Sequence, residues 1–206
     1  MELELVPPLK IKRELYRLPR GWERFSAHLR TMVNADVSDL RLPPLTTMNP
    51  MGKDHVPTAL DELLTLDAEG IALQAITEAS NHLTGVPGKF KIGLVVADDT
   101  GGGWTDRYTT EFGGRFENKH SIKRGWLSVI LWTSEAVSID AVRQEVLMTV
   151  YRAAQIVKHG FACTLRGMLA QEGYAMTMAA CERPLLSSDD IAYTREVVAS
   201  HPQCSR

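Results

Sequence analysis

"KFKIGLVVADDTGGGWTDRYTTEFGGRFENKHSIKRGWLSVILW", residues 89–132, decides how this chain is read. It begins with KFKIGLVVA (89–97), short, apolar and rich in β-branched residues, which reads as a buried strand. It ends with WLSVILW (126–132), another strand of the same kind. Everything turns on what lies between. Over 104–112, Trp104, Asp106, Tyr108, Thr110 and Phe112 alternate with a fully polar set, Thr105, Arg107, Thr109 and Glu111. That alternation describes a strand with two different faces. Trp104, Tyr108, Phe112 and Phe116 also recur every four residues, which suits a helix. The threonines and the Gly113-Gly114 pair favour the strand.

With a strand at 104–112, the glycines 101–103 form a hairpin turn and the connections are too short for parallel crossovers. The expected fold is therefore α+β: a small, mostly antiparallel sheet of three to four strands packed against several helices, in a single domain spanning 1–206.

The same stretch is tested for chemistry. A phosphate-binding P-loop needs a lysine after its glycines, and 101–104 has none. A dinucleotide fingerprint needs a third glycine where Asp106 stands. A helix–loop–helix calcium loop counted from Asp98 finds Glu111 two positions late, with glycines in place of ligands. A looser possibility survives. Asp98, Asp99 and Asp106 are carboxylates that can converge on a divalent cation if the loop folds back. Arg107 and Arg124 can hold an anionic group, with Trp104 beside it. Asp99, Glu111 and His120 are candidate acid–base groups. The alternative is a plain hairpin with these residues in solvent.

Flanking segments read as helices. Apolar positions from Trp22 to Val33 have helical spacing, and the nearby arginines read as a solvated face. A helix over 58–83 has a break signalled by Asp67 and Gly70. Glu78 and His82 share one of its faces, too few groups for a metal site. Lys53 and His55 precede it and could hold an anion at its start. Ser138 can cap a helix over 139–159, ended by Gly160, and Thr164 another through Ala180. Ser187 or Ser188 starts a last helix. Residues 1–19 read as an N-terminal arm or extended strand, 38–57 as a proline-rich connector, and 200–206 as a frayed tail. At Gln144-Glu145-Val146-Leu147-Met148, the first long helix after the strands lacks both histidines of a zinc peptidase.

Composition sets the frame. The 206 residues are 44% hydrophobic and 23% charged with formal net charge −2, ordinary for a globular chain and without a basic field for nucleic acid. Three widely spaced cysteines do not make a disulfide framework. With neither a signal peptide nor an apolar run of spanning length, a soluble cytoplasmic protein is expected, with no membrane association. The functional expectation is a small-ligand or divalent-metal-binding enzyme with its site at 98–111, a divalent cation as the only cofactor considered and a small anionic molecule as its partner. The alternative is a non-enzymatic protein that self-associates as a homodimer.

Overall fold

The computed structural model describes residues 1–100, 105–181 and 187–200. Strand β1 (Glu2–Leu5) is followed by α1 (Leu9–Leu15), α2 (Trp22–Met32), a 3₁₀ turn (Pro43–Thr47), α3 (His55–Thr65) and α4 (Ala68–His82). Then come β2 (Lys89–Ala97), α5 (Arg107–Phe112), a π-helical turn (Gly113–Glu117), α6 (Lys119–Lys123) and β3 (Trp126–Trp132). Helices α7 (Ile139–His159), α8 (Leu165–Met178) and α9 (Ser188–Ser200) close the order.

The three strands form one sheet in the order β1-β2-β3, and both pairings are parallel. Leu3 lies beside Phe90, and Ile92 beside Leu127. This overturns the expected antiparallel sheet. The reason lies in 98–125. No strand forms over 107–112, which is helix α5, so β2 and β3 are separated by a helical crossover. Parallel neighbours need a connection of about a dozen residues or more, and this one supplies it.

Two local forces make α5 helical. The Asp106 carboxylate accepts a hydrogen bond from the Thr109 amide at 2.7 Å, a cap that satisfies a free N–H of the first turn. The four-residue aromatic spacing then places Tyr108 on Phe112 and Phe112 on Phe116, with ring centroids 6.3 and 5.4 Å apart. Gly113 continues with helical dihedrals, φ −59° and ψ −45°. The polar–apolar alternation over 104–112 is thus not a strand signal, and Trp104 lies outside the described residues.

The break expected near Asp67 separates α3 from α4. Asp67 adopts a left-handed conformation, φ 56°, and its side chain accepts from the Gly70 amide. Residues 1–19 hold β1 and α1, with Leu9 and Lys12 fully buried. Strand β2 is buried on both faces from Ile92 to Ala97, as the centre of a parallel sheet should be. At Gly93 an added Cβ would meet Pro44 at 3.0 Å and Pro8 at 3.5 Å, so this glycine lets two loops close on the strand. Helix α7 packs on β3, α4 packs on β1, and the two helices pack on each other. Helix α8 packs along α7. Among the described residues no helix is long and apolar enough to cross a membrane.

Candidate functional site

The crossover does more than connect strands. It arches away from β3 and leaves a cavity of about 690 Å³ between itself, β3, α7 and α8. Successive strand residues point to opposite sides, so Trp126, Ser128, Ile130 and Trp132 all face this space. Helix α7 presents Glu145, Met148, Thr149, Arg152 and Ile156 to it, spaced by three or four residues and therefore on one stripe. Glu172 and Met176 of α8, one turn apart, add a further wall. Arg107, Glu111 and Arg115 come from the crossover, and His120 and Arg124 from α6 and its end. Its size is that of a small-molecule site, and its walls combine an apolar strand face with many polar and charged side chains.

The polar groups form a chain of alternating charge. Arg107 Nε donates to Glu111 at 2.8 Å, its Nη1 lies 3.3 Å from Asp99, and its Nη2 bonds Glu135. Its guanidinium stacks 5.1 Å from the Trp132 ring centre. Arg115 donates to the other Glu111 oxygen at 2.7 Å and lies 3.5 Å from Glu172. Arg152 grips Glu172 with both arms of its fork, at 2.7 and 2.9 Å. Burial pushes the Glu172 carboxyl up, but the hydrogen bonds and charge of Arg152, with help from Arg115, hold it below the usual range.

Glu145 stands apart from this chain. No hydrogen bond or ion pair among the described residues holds its carboxyl group. Burial pushes its pKa above the usual carboxylate range; Arg152 and Arg115 pull against that, while Glu135 and Glu111 reinforce it. A carboxyl group whose proton affinity is raised by its surroundings, at the wall of a cavity, is suited to giving or taking a proton.

Of the residues singled out from the sequence, Glu111, His120, Arg107 and Arg124 all line the cavity. His120 and Arg124 interact with each other, Nε2 to Nη1 at 3.3 Å, and Arg124 also bonds Asp39 and the Leu40 carbonyl. Asp99 is a step behind, accepting from the Ser134 amide at 3.0 Å, the Ser134 hydroxyl at 2.7 Å and Arg107. It anchors the arginine rather than facing the cavity. Asp98 is buried at the end of β2 and accepts from Asn49 Nδ2 at 3.1 Å, with His55 Nε2 at 2.7 Å. It ties the 38–57 connector to the sheet, and the His55 ring is turned to that carboxylate. Asp106 is exposed and caps α5. The three aspartates expected to share a cation therefore serve three different purposes. Among the described residues no three His, Cys, Asp or Glu side chains are grouped to hold a metal ion. Glu78 pairs with Arg143, and His82 with the Tyr151 hydroxyl.

Sequence reasoning missed Glu145, Arg115, Arg152 and Glu172. A signal for the α7 pair exists. The stripe 145-148-149-152-156 mixes charged and apolar residues beside the wholly apolar stripe through Val142, Val146 and Val150, a sign that this flank faces something other than plain core or plain water.

Compared with known proteins, the chain matches no family model, no curated protein and no solved structure.

Proposed function

We propose that the chain is a small-molecule enzyme whose substrate occupies the cavity beside β3, with Glu145 as the acid–base group. The observation that carries this reading is the unpaired Glu145 carboxyl group at the wall of a space large enough for a drug-sized ligand. Trp126, Ile130, Met148 and Ile156 offer apolar contact area. The Arg107–Glu111–Arg115–Glu172–Arg152 chain fixes the polar walls before any ligand arrives, and such preorganisation is what gives charged groups their catalytic value. The centre of action thus moves from the 98–111 segment to the far side of the crossover, with Arg107 and Glu111 common to both.

The test is a fragment collection screened by ligand-observed NMR and thermal shift against the wild type and Ser128→Phe. The phenylalanine would project into the cavity from the β3 wall. Fragments are expected to bind the wild type and to lose binding in the variant. Binding that survives Ser128→Phe unchanged would move the site elsewhere. Once a substrate is found, Glu145→Gln should reduce turnover by about 10²-fold or more.

A further inference from the structure

The charges around Glu145 also define what the cavity selects. This step rests on the cavity being the ligand site. Among the described residues, the cations near Glu145 are already committed: Arg152 to Glu172, Arg115 to Glu111 and Glu172, and Arg107 to Glu111, Glu135 and Asp99. Glu135 reaches in from the segment after β3, Glu111 from the crossover, and the Cys181 thiol from the end of α8, its proton affinity raised by burial and by Glu145. With carboxylates ionised, Arg107, Arg115 and Arg152 are matched by Glu111, Glu135 and Glu172 on the described cavity wall, and Arg124 is held by Asp39, which leaves Glu145 as the unmatched charge. An anionic ligand would have to break an existing arginine pair. A cation would meet an unpaired carboxylate and relieve the repulsion among Glu145, Glu111 and Glu135. The adjoining Trp126, Ile130 and Met148 side chains suit an apolar body.

We infer that the cavity takes a small organic cation, an apolar molecule bearing a primary amine, with the ammonium group against Glu145 and the apolar body along β3. This replaces the small anionic partner expected from Arg107 and Arg124, because Arg107 is consumed internally and Arg124 is bound to Asp39.

Three probes of one shape test this by titration calorimetry on the full chain at pH 8: 4-phenylbutylamine, 4-phenylbutan-1-ol and 4-phenylbutyrate. The amine should bind at least tenfold more tightly than the alcohol, and the carboxylate should bind weakest. In Glu145→Gln the amine should lose its advantage while the alcohol keeps its affinity, which shows that the variant is folded and its cavity open. Lowering the pH should erode the amine's advantage in the wild type, because burial raises the proton affinity of Glu145 and a protonated Glu145 carries no charge. Equal binding of amine and alcohol, or an amine preference that persists in Glu145→Gln, would overturn the inference. If that binding is still lost in Ser128→Phe, the cavity remains the site and only its charge preference is wrong. Failure of all three probes to bind would overturn the inference as well.

Discussion

Individual side chains show both what a sequence reveals and what it hides. Arg107, Glu111, His120 and Arg124 were legible as candidates because they crowd into one polar stretch, and all four line the cavity. Glu145, Arg152 and Glu172 were not, because their meaning comes from α7 packing on α8. Arg152 is 8% and Glu172 15% exposed at the side chain, so removing one partner strands a charge in a poorly solvated place. Glu172→Ala should cost about 3 kcal/mol, read by urea denaturation, whereas removing the exposed Lys89–Glu2 pair should cost little. Lys12 makes a different prediction. Its side chain is fully buried and its Nζ donates to the Leu94 carbonyl at 3.0 Å. Burial pushes its pKa well below the ordinary lysine value, with Glu69 pulling the other way. An unfolded lysine takes up its proton near pH 10. Between that pH and the lowered folded value the unfolded chain binds more protons, so stability falls as the pH drops through this window and rises again toward pH 10. Each unit of depression is worth about 1.4 kcal/mol. Lys12→Met should therefore remove the Lys12 share of that climb, read as a flatter rise of stability as the pH increases toward 10. A wild-type Tm that does not climb over that range would mean that Lys12 is charged in the folded protein.

At the scale of elements, strands β2 and β3 were legible from their apolar, β-branched runs, and α7 from its cap and its stripe. The crossover was not. Its first half satisfies two periods at once, and threonine content tipped the reading toward a strand. What decided the outcome was the combination of the Asp106 cap with aromatic contacts one turn apart, which a per-residue propensity does not contain. The Gly113-Gly114 pair, read as favouring a strand over a helix, instead lies in helical structure along the cavity. Glycine in such a place costs conformational entropy, and a Cβ added at Gly113 would meet nothing within 4 Å. Gly113→Ala should thus stabilise the fold by about 0.5–1 kcal/mol, measured as a higher urea midpoint with unchanged slope. A destabilised Gly113→Ala would show that this turn needs conformations that only glycine supplies.

For the whole molecule, strands β2 and β3 were readable and their relative direction was not, because direction depends on how long the connections are once every element between them is known. A parallel three-stranded sheet has a consequence for the two ends of the chain. Strand β1 is recruited from the N-terminus: Leu3 and Leu5 pair beside Phe90 and Ile92, and the terminal amine donates to the Leu83 carbonyl at 2.8 Å. Removing residues 1–6 would leave one edge of β2 without its ladder, an exposed edge that invites pairing with other chains. Helix α9 is the opposite case, since none of its residues is buried. Buried apolar area is the main source of stability, and a helix with only two half-buried apolar residues, Ile191 and Val198, contributes little to it. A chain ending at Ser187 should therefore melt within a few degrees of the full chain, whereas one starting at Pro7 should lose most of its cooperative transition and aggregate on heating. Differential scanning calorimetry of the two truncations decides the matter. Equal losses from both would mean that α9 docks on the body in solution, and equal tolerance of both would mean that β2 and β3 suffice to hold the sheet without β1.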